Sequence, residues 1–151
     1  MKVVLQRVKE AYVEVNKDKI ASISKGLLVF WGIEKGDSFK DAEVLIEKIL
    51  KLRIFSDEHG KMNLSIKDVD GKVLIVSQFT LAGNYIKGNR PSFINAEDPT
   101  EAEKMLEKII SLFSNSVETK SGQFGAMMEV GLKNDGPITF VLQAKNGQLI
   151  N

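Results

Sequence analysis

Two hydrophobic periods alternate along the chain, and the stretches that follow neither carry information of their own. Lys2 to Val8 is apolar enough for a largely buried strand, and Ala11-Tyr12-Val13-Glu14-Val15 is a second β-rich run ending at the polar turn Asn16-Lys17-Asp18-Lys19. Ile20 to Ile23 and Leu27 to Ile33 follow, bounded by Gly26 and Gly36. The connections are too short for crossover helices, so these runs predict an antiparallel meander. From Asp37 or Ser38 to about Lys51 the period changes. Ala42, Leu45, Ile46, Ile49 and Leu50 share one helical face and charges fill the other, so a helix there should lie on the sheet. Arg53-Ile54-Phe55 predicts a short strand, Gly60-Lys61-Met62-Asn63 a loop, and Lys72 to Gln78 a buried strand entered from Asp70-Gly71.

The end of that last run is not explained by packing. After Val73-Leu74-Ile75-Val76 come Ser77-Gln78-Phe79-Thr80-Leu81, which place hydroxyls, a side-chain amide and backbone N–H groups where strand becomes loop. Sites are common at such places because a rigid scaffold there meets solvent. Small polar residues that merely cap a strand end are the simpler alternative. From Ala82 to Asp98 the pattern disappears, and Gly83, Asn84, Gly88, Asn89 and Pro91 predict an ordered loop carrying Lys87 and Arg90.

Asp98-Pro99-Thr100-Glu101 then opens a second helix, with Asp98 as N-cap and Pro99 in the first helical position. Ala102, Met105, Leu106, Ile109, Ile110 and Phe113 mark its buried face. Val117 to Lys120, Ala126 to Leu132 and Ile138 to Gln143 are the remaining strands, with Asn134-Asp135-Gly136-Pro137 between the last two. Asp-Gly suits a tight hairpin, but Pro137 removes a ladder donor and restricts Gly136. That conflict predicts a special backbone geometry, a cis Gly136–Pro137 bond being one form of it. The pattern adds up to an α+β fold. It should be a mainly antiparallel, barrel-like sheet in a single domain spanning 1–151, with two packed helices at about 38–51 and 99–113.

Composition narrows the chemistry. At 151 residues the chain can bury a core without staples. It has no cysteine, hence no disulfide, no thiolate nucleophile and no Cys-ligated metal. Its one histidine, His59, sits in Asp57-Glu58-His59-Gly60, which reads as a solvated turn. There is no Gly-rich phosphate loop and no His cluster for zinc, and Ser77 lacks the flanking glycines of a nucleophile elbow. Asp41, Glu43, Glu47, Glu101, Glu103 and Glu107 lie on predicted helix surfaces and read as solvated charge. We therefore expect no metal site, and an enzyme built this way must rely on backbone donors, hydroxyls and the substrate's own groups. With 21 basic and 20 acidic residues the net charge is +1, which neither draws nor excludes an RNA partner. Met1-Lys2-Val3-Val4-Leu5-Gln6-Arg7 is broken by charge, so neither a signal peptide nor a membrane span is expected, and the cytoplasm is the default location.

With the strand-end motif and the Gly-Pro turn both in view, the chain resembles the bacterial-type D-aminoacyl-tRNA deacylases, also called D-tyrosyl-tRNA deacylases. The resemblance runs through Gln6-Arg7-Val8, Gly26 to Val29, Arg53-Ile54-Phe55, Gly60 to Asn63, Ser77 to Leu81, Lys87-Gly88, Arg90 to Phe93, Phe124-Gly125-Ala126 and Asn134 to Thr139. It implies a homodimer with the pocket at the subunit interface. It also implies hydrolysis of the ester between a D-amino acid and the tRNA 3′ end, with no cofactor and with no DNA or membrane partner. By the same resemblance Ser77, Gln78, Phe79 and Thr80 would form the catalytic pocket floor, with N–H groups near Phe79 and Thr80 holding an oxyanion. Gly136 and Pro137 would enter from the other subunit, Arg7 would brace their turn, and Phe124 and Gly125 would contact the terminal ribose or adenine. Gln123, Met127 and Glu129 stand where many members carry Arg, Asp and Gln, and Gly83-Asn84-Tyr85-Ile86 departs from the usual loop. The competing class is a tRNA-binding module that holds its ligand without cleaving it.

Overall fold

The computed structural model describes residues 1–151. In chain order the elements are β1 (Lys2–Val15), β2 (Asp18–Ile23), β3 (Gly26–Gly32), α1 (Phe39–Lys51), β4 (Phe55–Ser56), β5 (Met62–Leu64) and β6 (Lys72–Ser77). A 3-10 turn (Phe79–Ala82), α2 (Pro99–Ser114), β7 (Thr119–Ser121), β8 (Glu129–Lys145) and β9 (Gln148–Leu149) complete the chain.

β1 is the spine. The two runs expected before and after Val8 form one unbroken strand whose antiparallel partners lie on both edges. β3 pairs with its first half, Lys2 to Val8, and β2 with its second, Ala11 to Val15. The meander expected from the short turns is therefore corrected. β2 and β3 lie end to end along one edge of β1 instead of pairing with each other, because a strand this long has room for two short partners. Helix α1 makes the crossover that sets β6 parallel to β3, and β7 then pairs parallel to β6. The result is a curled, mixed sheet of seven strands in an α+β fold.

Each sheet face has its own core. On one, Val3, Leu5, Leu27, Val29, Trp31, Val73 and Ile75 pack against Leu45, Ile46 and Ile49 of α1 and Leu106, Ile109 and Phe113 of α2. On the other, Val8, Ala11, Val13, Ile23, Leu28, Leu74 and Val76 meet. β3 and β6 are thus buried on both faces, which is why they read as unbroken aliphatic runs.

The helix ends follow from side chains. Asp98 accepts from the Thr100 N–H at 3.0 Å, with Pro99 as the first helical residue of α2. At α1 the Asp41 carboxylate accepts from the Ser38 N–H at 2.8 Å, the Ser38 hydroxyl at 2.9 Å and the Gly147 N–H at 2.7 Å. Asp41 is buried, which corrects the expectation of solvated charge there: the Gly147 turn closes over it. Burial alone would raise this carboxyl, but the Gly147 and Ser38 hydrogen bonds and the Met1 ammonium outweigh it and hold it below the ordinary value. Three strands differ as well. Met62 and Asn63 of the expected loop belong with Leu64 to β5, which pairs with β4, and the strand expected at 117–120 begins at Thr119. The runs Ala126–Leu132 and Ile138–Gln143, expected as two strands, are halves of one strand, β8, because both stay in register with β1.

Candidate active site

β3, β6 and β7 run parallel, so their carboxyl ends meet at one edge of the sheet, the usual place for a site in such an arrangement. Ser77, the last residue of β6, sits beside Trp31 of β3. The chain then tightens. The Gln78 N–H donates to the Trp31 carbonyl at 2.9 Å, the Leu81 N–H to Gln78 at 3.2 Å and the Gly83 N–H to Thr80 at 3.0 Å. The Phe79 and Thr80 N–H groups take no part in these bonds and, at the start of a 3-10 turn, have no acceptor within it. Two adjacent backbone donors are therefore free. The Gln78 side-chain amide donates to the Thr80 hydroxyl at 2.5 Å, which fixes both side chains over the turn. Phe79 is 60% exposed and meets Phe93 edge to face at 5.0 Å.

The segment after β7 arrives at the same edge, since the Gly122 N–H donates to the Ile75 carbonyl at 2.9 Å. Phe124 leans on the helix-side core, while Gly125, at φ +72°, is exposed. The structure thus brings Ser77, Gln78, Phe79 and Thr80 to one edge and carries the Phe124–Gly125 segment there.

Gly136 and Pro137 lie elsewhere. Gln6 pairs with Thr139 and Val8 with Asn134, so Asp135 to Ile138 bulge out of β8 opposite Arg7. The Gly136–Pro137 bond is cis, and both residues are exposed. The buried Arg7 guanidinium holds the bulge from below, with Nε donating to the Asp135 carbonyl at 3.0 Å and an end nitrogen to the Ile54 carbonyl at 2.6 Å. Asn134, not singled out from the sequence as a site residue, closes it. Its amide donates to the Ile138 carbonyl at 3.1 Å and its carbonyl oxygen accepts from the Ile138 N–H at 2.7 Å. An Asn four residues before the end of a Gly-Pro turn is the only trace of this clasp in the sequence. Arg7 is level with Leu27 and Val73, four residues along β6 from Ser77 and three strand spacings across the sheet. At ~3.3 Å per residue and ~4.8 Å per strand, the bulge is roughly 20 Å from the Ser77–Thr80 turn of its own chain. Within one chain the two motifs do not form one site.

Other candidates fall away. His59 is exposed in its turn, its N–H bonded to Asp57. No three of the His, Asp and Glu side chains converge as metal ligands would. A hollow of about 210 Å³ lies beside Met1, Glu34 and Lys145, but its charges satisfy one another through Asp37, and none of the expected site residues lines it.

Taken together, the features define a class: an α+β protein with a preorganised pair of main-chain donors beside hydroxyls at a sheet edge, and no nucleophile–base pair within it. The family model described as D-Tyr-tRNA(Tyr) deacylase matches residues 4–143. A D-aminoacyl-tRNA deacylase of Syntrophus aciditrophicus (strain SB) is 53% identical over 146 residues, covering 96% of this chain and 98% of that one. Another, of Fusobacterium nucleatum subsp. nucleatum, is 51% identical over 150 residues, covering 99% of each. A solved structure described as a c-Myc DNA unwinding element binding protein superposes with a TM-score of 0.91 at 39% identity, covering 96% of this chain and 99% of that one. One described as a probable eukaryotic D-amino acid tRNA deacylase shares the fold, with a TM-score of 0.77 at 16% identity over 93% of this chain and 97% of its own. The chain belongs to the D-Tyr-tRNA(Tyr) deacylase family, a family of enzymes.

Proposed function

We propose that this chain hydrolyses the ester joining a D-amino acid to the 3′ end of a tRNA, a chiral proofreading step that returns free tRNA to translation. The observation that carries the reading is the pair of free N–H groups at Phe79 and Thr80, at the sheet edge of a chain that belongs to the D-Tyr-tRNA(Tyr) deacylase family. When water attacks the ester carbonyl, its oxygen becomes an oxyanion. Two donors already aimed at that point need no reorganisation, and one such donor supplies about 2.7–4 kcal/mol in comparable sites. The carbon–oxygen bond to the ribose then breaks, and the ribose hydroxyl leaves with a proton. An ester has an alcohol leaving group, so the reaction needs no Ser-His pair. The neighbouring ribose 2′-hydroxyl positions the water, and neither metal nor cofactor takes part.

The second half of the reading is a homodimer. The Gly136–Pro137 bulge is too far from its own Ser77–Thr80 turn to wall that site, and it is exposed and rigidly clasped. A second copy supplies it. Main chain held this firmly acts as a wall on the side where an L side chain would project, while the D side stays open, so D-Tyr, D-Phe and D-Asp are all accepted. Glycine has nothing to clash, so glycyl-tRNA, including that mischarged on tRNA(Ala), is cut as well. The test is incubation of the purified protein with D-tyrosyl-tRNA and L-tyrosyl-tRNA. Release of D-Tyr with L-tyrosyl-tRNA intact is the expected result. Binding of both without release would make the chain a tRNA-holding module.

A further inference from the structure

We propose that the hairpin Asn84–Ser92 is the docking platform for the single-stranded RNA just upstream of the substrate's terminal ribose, with Tyr85 stacking on a base and Lys87 and Arg90 holding phosphates. This rests on the reading of the substrate as an aminoacyl-tRNA. The hairpin is built, not slack: Asn84 and Ser92 exchange N–H···O bonds of 2.8 and 2.9 Å. It adjoins the catalytic turn through the Phe79–Phe93 contact, and the Tyr85 hydroxyl lies 3.5 Å from the Thr80 carbonyl, at the outer limit of a hydrogen bond and too long to hold the turn in place. A strand whose last nucleotide carries the ester at Phe79 and Thr80 therefore has this hairpin beside it.

Its charge is segregated. From Ser77 to Ala96 there is no Asp or Glu, and none from Thr119 to Met128, the two segments that meet at this edge. All 20 carboxylates lie elsewhere, and the cations of these segments, Lys87, Arg90 and Lys120, form no ion pair. Exposed lysine or arginine alone is an ordinary loop surface. Here the cations Lys87 and Arg90 follow closely on two apolar groups that protrude into solvent, Tyr85 at 65% and Ile86 at 88% exposed. An aromatic face set among unpaired cations and free of carboxylates is the pattern that grips single-stranded nucleic acid, phosphates by charge and bases by stacking.

The experiment compares wild type, Lys87→Ala/Arg90→Ala, Tyr85→Ala and Tyr85→Phe on D-tyrosyl-tRNA and on the D-tyrosyl ester of adenosine, which ends where the upstream phosphates would begin. For the tRNA, the double variant should raise KM about tenfold with kcat held. It should also lower the slope of log(kcat/KM) against log salt by roughly 1.4, two single-strand phosphate contacts at ~0.7 each. Tyr85→Ala should raise the same KM at least about fivefold and Tyr85→Phe should not, while the adenosine ester is cleaved alike by all. Equal losses on both substrates would overturn the proposal by making the hairpin a prop for the catalytic turn. Unchanged KM and salt slope would also overturn it, as would a double variant that sediments differently from wild type, which would make the hairpin a contact between copies. A second readout is independent of cleavage: anisotropy of a labelled RNA tetranucleotide. If wild type cleaves neither ester, the deacylase reading fails, yet tetranucleotide binding weakened in the variants still supports the platform, and no binding by wild type at low salt sinks it.

Discussion

A guanidinium that is 7% exposed and serves two main-chain carbonyls is not interchangeable with an ammonium. Lysine at position 7 offers no fork to span the Asp135 and Ile54 carbonyls, and at least one of them loses its charged donor. Arg7→Lys should therefore cost about 1.5–3 kcal/mol, seen as a lower urea midpoint at unchanged slope, and should reduce activity by loosening the bulge. Thr80 has no base within its hydrogen bonds, only the Gln78 amide. Thr80→Ala should retain much of the rate, and mass spectrometry should trap no aminoacyl adduct on it. His59 lies in an exposed turn and no metal-ligand cluster exists, so neither His59→Ala nor EDTA should lower the rate by as much as about tenfold, ~1.4 kcal/mol in the barrier. At this scale the residue pattern marked Ser77 to Thr80 and the Gly136–Pro137 turn, while Arg7 was indicated only by the family resemblance. Ser77 to Thr80 stood out because polar residues ended an aliphatic run. By pattern alone Arg7 reads as any strand cation, since burial of a charged side chain leaves no mark on its own position, and its bracing role came from the resemblance.

Helices were legible and strand pairing was not, for the same physical reason. A helix is closed by neighbours, so the polar Asp37-Ser38 before an apolar stripe, and Asp98 with Pro99, announce its start, although the pattern reads Asp41, which closes the first, as solvated charge. A strand's partner can be anywhere in the chain, and nothing in Ile20 to Ile33 says that its two strands share one edge of β1. Pro137 misled in a similar way, since a proline argues against a continuous strand unless a bulge takes it out of the ladder. The α2 cap yields a simple expectation: Asp98→Ala should cost about 1 kcal/mol, or roughly 2–4 °C in Tm. Asp41 yields one in pH. Its carboxyl is held below 3.8 in the folded chain, so the unfolded chain takes up the proton first as pH falls. The stability it confers is full above about 3.8 and is lost as pH drops through the lower, folded value. Asp41→Asn should remove that part of the acid limb in chemical denaturation followed from pH 6 to pH 2.

The separation of the two motifs makes the whole molecule testable as a unit. Phe79→Pro removes one donor N–H at a position where a helix start tolerates proline, and Gly136→Ala places a methyl 2.7 Å from Ile138 at φ +141°. Each variant should be inactive alone. Mixed under exchange, half the dimers become heterodimers with one intact site of two, so activity should return to about a quarter of wild type. Two variants that stay dead together, although heterodimers form, would place both motifs in one site of one chain. The placement of β8 on the free edge of β1 reaches into synthesis. β1 leaves the ribosome first and its last partner nearly last, with roughly a hundred residues between β3 and β8. At about 5–20 residues per second, the nascent chain carries the open edge of its longest early strand for roughly 5–20 s. An unpaired edge of that length is a template for other chains. A chain stopped after Met128 should accumulate as aggregate, and slowing translation of the last quarter of the message should lower the soluble yield without changing the stability of the protein that survives.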